Sequence, residues 1–385
     1  MVHAHGLALA SVVALLATYA PLRLRTETPF FSVVVLTWQR TEFLDAAIRS
    51  VLAQSVGRAE YEIVVVRGFA SPSWDAFLSG VGARILPSPS SSQGAALAAA
   101  MLAARGEVVV FLDDDDEMEP GRLAYLRDLY ERDPGLAFVR NSNRSIDGAG
   151  RPLAEWPSCT WPANPGTGVH EVRDPVEKAT GPTLPMHNLS SMSVRRSAVL
   201  PFVGDWVEIP SGVDATVYLS ALASPGAVRS DPTVLTRRRI HASASLENFS
   251  SHGIGPPPNL DRLRRLRRSH GQQRAMVRGT PAERSARWIE VVHRFEAALT
   301  ATEFPDPGPS DWIEMMRGIV RERQPFRLPA LAFAALRRWA PAWAIQAWWR
   351  YSADHERTGH PATDYASLFS GPSASPSRPS PRAPH

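Results

Sequence analysis

Three runs of residues limit the kind of core this chain can build: FFSVVVLTWQR (30–40), YEIVVVRGF (61–69) and EVVVFL (107–112). Each holds three consecutive valines with a further apolar residue on one side. A strand with one face in water alternates apolar and polar residues. An unbroken apolar run is buried on both faces, the pattern of parallel strands covered by helices. The segments between and after the runs supply those helices. TEFLDAAIRSVLAQS (41–55) sets Leu44, Ile48, Val51 and Leu52 on one helical face, with Thr41 as the expected N-cap. GAALAAAMLAARG (94–106) reads as a helix ending at Gly106, and PGRLAYLRDLYERDPG (120–135) as one with Pro in its first turn and Gly after its end. The expected fold is therefore α/β, an open and mostly parallel sheet with helices on both faces. Sheets of this type bind ligands at the carboxyl ends of their strands.

The third run ends at such a place in four aspartates, Asp113 to Asp116. Like charges repel, so the cluster needs a compensating partner. In an extended chain side chains alternate, which would aim Asp113 and Asp115 the same way. Two carboxylates there make a hard oxygen site suited to Mg²⁺ or Mn²⁺. The simpler alternative is acidic capping of the helix expected from Pro120, but one or two acids would satisfy that.

Beyond residue 135 the pattern changes. LAFVRNSNRSIDGAGRPLAEW suggests two strands around a turn at Asp147–Gly148, followed by a Trp/Pro/Gly-rich loop over 156–187. LSSMSVRRSAVL (189–200) reads as a strand and a helix start, GVDATVYLSALAS (212–224) as a helix, and DPTVLTRRRIH (231–241) as a strand. After GIGPPPN (253–259) the chain becomes helical and charged to about residue 325. Residues 328–351 hold four tryptophans beside Arg337, Arg338 and Arg350, interrupted by Pro341. This composition fits either a helix lying in a membrane interface or a helical pair packed on the domain. Residues 6–22 form a 17-residue apolar stretch followed by Arg23 and Arg25, which fits a membrane anchor, a hydrophobic tail or an early start codon. The expected division is an apolar segment over 1–27, the main domain over 28–255, a helical region over 256–352 and a disordered tail over 353–385.

Composition narrows the functional classes. A net charge of +4 argues against a broad nucleic-acid footprint. The single cysteine, Cys159, leaves no intrachain disulfide and no cysteine zinc site, in keeping with a cytoplasmic setting. The basic residues are arginines apart from Lys178. No Gly-x-Ser-x-Gly surrounds Ser190, Ser191 or Ser193, and no Gly-Lys-Ser/Thr phosphate loop is present.

FSVVVLTWQRTEFLDAAIRSVLAQS, YEIVVVRGF and GEVVVFLDDDDEMEPGRL, in that order and spacing, resemble the family 2 glycosyltransferases of the GT-A fold over roughly residues 30 to 250. The resemblance implies an inverting, metal-dependent hexosyl-type transferase that takes a nucleotide-sugar donor. A glycan or lipid-linked acceptor is implied, as in cell-envelope polysaccharide synthesis at the inner membrane face. It implies that Thr37, Arg40, Arg67, Asp113 and Asp114 bind the donor, that Asp113 and Asp115 hold the metal, and that Asp214 in GVDATVYLSAL is the catalytic base. His241 in TRRRIHASAS matches a late His motif near the diphosphate and is a further expected ligand. NLSSMSVRRSAVL matches a segment lining the acceptor side. The family's second strand usually ends in an acidic pair, whereas this one ends in Arg67 and Gly68. Arg67 then pairs with phosphate or with an acid in the pocket, and the nucleotide's identity is open.

The chemistry demanded is a displacement at the sugar's anomeric carbon. A carboxylate accepts the acceptor hydroxyl's proton, with Asp205 and Glu208 as reserves for Asp214. Asp116 is expected to support the motif from behind. Two other classes compete. A nucleotidyltransferase would show a glycine-rich basic loop after the first strand, which LTWQRTEF lacks. A degenerate relative that binds glycans or scaffolds other enzymes is kept open by Arg67.

Overall fold

The computed structural model describes residues 28–38, 40–153, 168–181, 183, 188–241, 260–322 and 327–348. Nine strands form one sheet: β1 (Phe31–Thr37), β2 (Tyr61–Arg67), β3 (Ala83–Pro87), β4 (Val108–Asp113), β5 (Glu117–Met118), β6 (Leu136–Ile146), β7 (His170–Val172), β8 (Met192–Arg195) and β9 (Ala227–Arg239). Their order is β3-β2-β1-β4-β8-β6-β9-β5, with β7 also pairing with β9. The first four run parallel, as the apolar runs require. β8 is antiparallel to both β4 and β6, and β6 runs parallel to β9.

Alternate residues of the buried strands face opposite layers. Val33, Val35, Ile63, Val65, Val110 and Leu112 pack with Leu44, Ile48, Leu123 and Leu126 on one side. Val34, Val64, Val66, Val109 and Phe111 pack on the other with Leu97, Met101, Trp206 and Leu219. Full burial stabilises each such valine by roughly 1.5–3 kcal/mol, which favours this register over a one-residue slip.

Several local expectations are revised. The first helix is Leu44–Leu52 and begins after Phe43, so Thr41 does not cap it through its side chain. The helix Pro72–Gly80 and strand β3 had no counterpart in the sequence reading. Their signal was Ser71 followed by Pro72, and the Ser71 hydroxyl does accept from the Trp74 N–H at 3.5 Å. The expected turn at Asp147–Gly148 is present: the Asp147 N–H donates to the Arg151 carbonyl at 2.9 Å and the Leu153 N–H to the Ser145 carbonyl at 3.0 Å around a bridge between Ile146 and Pro152, and the returning chain beyond Leu153 lies outside the described residues. Part of the expected loop over 156–187 holds β7 and the helix Pro175–Thr180.

The C-terminal helices are Leu260–Met276, Glu283–Thr300, Pro309–Arg321 and Leu328–Arg337, and residues 341–348 are also helical. Trp288, Val291, Phe295, Met315 and Ile319 form their core. Val277, Ala282, Ala286 and Ile289 reach into the core beneath the sheet, so the helical region shares apolar contacts with the α/β layer. No described helix is long and apolar enough to cross a membrane. Residues 6–22 and the tail over 353–385 lie outside the described residues.

Candidate active site

The carboxyl ends of β1, β2 and β4 lie side by side. Thr37 aligns with Arg67, and Leu36 with Asp113. Four residues expected to form the site therefore share one sheet edge: Thr37, Arg67, Asp113 and the adjoining Asp114. The chain does not stay extended past Asp113. It turns at Asp114 and Asp115, and the Asp116 N–H donates to the Asp113 carbonyl at 3.3 Å. The turn, rather than strand alternation, brings carboxylate oxygens of Asp113, Asp115 and Asp116 within 4.8 Å of one another. These aspartates do not cap the following helix, which starts at Arg122 after Gly121 with no side-chain cap.

Basic groups answer part of the repulsion. Arg40 Nη2 donates to Asp114 Oδ1 at 2.6 Å and to Asp115 Oδ2 at 2.5 Å. Thr37 Oγ1 donates to the Arg40 carbonyl at 2.9 Å and so fixes the loop carrying that arginine. His241 Nε2 lies 3.1 Å from Asp115 Oδ2. The His241 ring and the Arg239 guanidinium both meet the Phe43 ring, at 4.7 Å and 4.6 Å between centres. Asp116 is held from behind: its Oδ1 accepts from the Arg239 N–H at 2.8 Å and its Oδ2 from Asn188 Nδ2 at 2.7 Å. Arg239 also donates to the Asp115 carbonyl at 2.9 Å. Arg122, fully buried, donates to the Phe111 and Met192 carbonyls, and burial pulls its guanidinium down to about 9 despite the attraction of Asp116.

The balance is uneven. Burial would raise the Asp115 carboxyl, but the His241 hydrogen bond and the Arg40 charge bring it below the usual range. Burial and then the neighbouring Asp115 push Asp116 up to about 7. Burial followed by its three acidic neighbours drives Asp113 well upward, with the Ser190 hydroxyl opposing. That hydroxyl accepts from the Asp113 N–H at 2.9 Å and donates to Asp113 Oδ2 at 3.2 Å. Three clustered carboxylates, two of them short of counter-charge, fit a hard divalent cation.

Ser190, Asn188, Arg239 and Arg122 were not singled out for this role by sequence reasoning. The antiparallel register of β4 with β8 pairs Val108 with Arg195 and Val110 with Ser193, which brings Ser190 opposite Asp113. That pairing is the signal, and it is visible only once the two strands are known to be neighbours.

Arg67 pairs with Asp75 in the first turn of the helix Pro72–Gly80, and its guanidinium lies 5.6 Å from the centre of the Phe69 ring. An acid is one of the two kinds of partner the sequence left open. Asp214 belongs to a different neighbourhood. It stands in the first turn of the helix Val213–Ala223, and its Oδ1 accepts from the Ala215 N–H at 2.9 Å. Gly212, at φ +74°, sets the entry to that helix in the left-handed region that a side chain would strain. The segment before it rests on the start of the helix Gln93–Ala103, where the Gly94 N–H donates to the Ile209 carbonyl at 3.0 Å. A Cβ on Gly94 would lie 2.0 Å from the Trp206 carbonyl oxygen, so only glycine allows this approach. From the other side Gln273 Nε2 donates to the Gly212 carbonyl at 2.8 Å, and Arg262 and His270 interact electrostatically with Asp214. The C-terminal helices thus support the residue expected to be the base.

Residues 32–196 match the model of the family described as glycosyl transferase family 2. The match includes the aspartate cluster and ends before Asp214 and His241. No curated protein matches the chain in sequence. Among solved structures, S. aureus TarS 1–349 in complex with UDP-GlcNAc is similar at 15% identity and a TM-score of 0.47, over 86% of this chain and 92% of that one. The mannosyltransferase PcManGT from Pyrobaculum calidifontis, in complex with GDP-Man and Mn²⁺, is similar at 15% identity and a TM-score of 0.49, over 92% and 96%. The aspartate cluster at the carboxyl edge of β4 thus lies inside the segment that matches the glycosyl transferase family 2 model.

Proposed function

We propose that the protein transfers a sugar from a nucleotide-sugar donor to a glycan or lipid-linked acceptor, with inversion at the anomeric carbon. The observation that carries this reading is the group Asp113, Asp115 and Asp116 at the end of β4, inside the family-matched segment. Asp113 and Asp115 would hold Mg²⁺ or Mn²⁺, with Asp116 completing or bracing the set and His241 orienting Asp115. The cation, when bound, offsets the negative charge of the diphosphate. Arg40 and Thr37 would meet the donor's phosphates, with Arg40 exchanging part of its contact with Asp114 for phosphate oxygen. Asp214 accepts the proton of the acceptor hydroxyl as the new glycosidic bond forms and the bond to the nucleoside diphosphate breaks. Its intermediate exposure at a helix start leaves it accessible to an acceptor. A cytoplasmic site at the inner membrane face, serving cell-envelope polysaccharide synthesis, follows from a lipid-linked acceptor.

The test is titration calorimetry of nucleoside diphosphates and sugar nucleotides, with and without Mn²⁺, on the intact protein and on Asp115→Ala. The expected result is Mn²⁺-dependent binding of one nucleotide series, lost in the variant. Silence across the panel from folded protein would favour a degenerate glycan-binding relative. Arg67, engaged with Asp75 where the family usually has an acid, favours that second reading.

A further inference from the structure

The helix Pro309–Arg321 has two apolar faces. Met315, Gly318 and Ile319 face inward, and Gly318 lies so close to Trp288 that a Cβ would meet the ring at 2.1 Å. Ile313, Met316 and Val320 face outward, 46%, 52% and 79% exposed, at the i, i+3, i+7 spacing of a single stripe. Arg317 falls within that stripe. Farther along the chain Trp339 is 88% and Trp343 57% exposed, with Leu328 and Leu336 also open. Both helical segments pack their other faces into the core around Trp288 and Phe295, so these exposed apolar side chains stand outside that core.

The surface around Ile313 is basic. Ile313 also lines a cleft of about 460 Å³ together with Arg274, Arg294 and Arg317. A neighbouring cleft of about 570 Å³ shares Arg294 and adds Arg264, Arg267 and Arg268. Arg264, Arg287 and Arg294 are committed to acids: Arg264 to Asp261 and Glu303, the other two to Glu290 and Asp311. Arg267, Arg268 and Arg317 make no ion pair among the described residues. Residues 256–352 hold 17 arginines and no second cation type but His, against 9 acidic residues, a net +8 in a chain whose total is +4. The remainder is therefore net acidic, and the positive charge is confined to the region bearing the exposed stripe.

We propose that the outer face of these helices seats on an anionic lipid surface. Interfacial binding asks for apolar side chains that enter the acyl boundary, tryptophans at the headgroup level, and arginines that pair with lipid phosphate. All three are present on the C-terminal helices. A second copy fits less well, because two strongly basic faces would repel each other. A nucleic acid would engage the arginines but leave the stripe exposed. The proposal goes beyond sugar transfer, and its test does not depend on the donor.

The experiment is co-sedimentation of the full chain with vesicles of phosphatidylcholine alone or mixed with phosphatidylglycerol. Binding to the mixed vesicles is expected to be at least about tenfold tighter and to weaken as salt is raised. Met316→Asp/Trp343→Ser and, separately, Arg267→Glu/Arg268→Glu should each reduce it by about tenfold or more. Their circular dichroism should match that of the parent, since all four side chains lie outside the core. Equal partition onto both vesicle types, or binding that survives both variants, would overturn the proposal. So would a dimer in sedimentation equilibrium that Met316→Asp dissociates, which would assign the face to a second copy. Competition by inorganic polyphosphate that fully accounts for binding, with Met316→Asp/Trp343→Ser unaffected, would reduce the site to a soluble-anion cleft. Donor binding measured on the same variants should be unchanged, which separates this failure from a failure of the transferase reading.

Discussion

The fate of each aspartate is set by its immediate neighbours. Asp115 is held ionised by Arg40 and His241, while Asp113 has a hydroxyl, Ser190, as its side-chain partner. If the cluster holds a cation, Ser190 orients one of its ligands without touching the cation. Groups in that position commonly alter metal affinity by 10–100-fold. Ser190→Ala is therefore expected to weaken Mn²⁺-dependent nucleotide binding by about tenfold with little change in melting temperature. Calorimetry beside a thermal melt checks this, and unchanged binding would remove Ser190 from the site. The presence of the acids was legible in EVVVFLDDDD, because no core requires four aspartates after a buried strand. Their individual roles were not legible, because these depend on Ser190, Asn188 and Arg239, all far away in sequence.

Among the elements, the helix carrying Asp214 illustrates how an expected base is positioned by parts that look unrelated in sequence. Its approach segment lies against the start of the helix Gln93–Ala103, and that contact requires Gly94. Gly94→Ala would push the Trp206 and Ile209 carbonyls outward and shift the turn leading to Asp214. The expected cost is about 1–3 kcal/mol in unfolding free energy, the usual range for overpacking. A drop in kcat with little change in donor KM should accompany it. A variant as stable and active as the parent would refute the close approach. The helix Val213–Ala223 itself was legible from its apolar composition and its acidic first turn. Its neighbour Leu260–Met276 read only as part of a charged helical region. Only the fold turns Ser269, His270 and Gln273 of that helix toward the site.

Across the whole molecule, one apolar core joins the sheet to the C-terminal helices, so damage to the helices should propagate to the site. His270 is buried, stacked on His293 at 4.2 Å, with Gln273 Oε1 2.7 Å from its Nδ1. Burial, then the neighbouring His293, lowers its imidazole from 6.5 to about 3. The unfolded chain therefore takes up a proton below pH 6.5 while the folded chain resists until about pH 3. Stability from this group is complete above that window and is lost as pH falls through it, at up to about 1.4 kcal/mol per pH unit. Denaturant midpoints measured from pH 7 to pH 4 should fall for the parent and fall less steeply for His270→Gln. Parallel slopes would exclude the histidine as the cause. The sequence by itself determined the parallel strands, the helices that cover them, the sheet edge where a ligand belongs and the acidic cluster there. Those follow from side-chain periodicity and turn chemistry, which act over a few residues. Only the tertiary structure decided that Asp116 joins Asp113 and Asp115, that Arg67 is engaged by Asp75, and that the C-terminal helices brace the helix of Asp214. Contacts such as Ser190 to Asp113 or His241 to Asp115 span 77 and 126 residues, and no local propensity specifies which distant segments will meet.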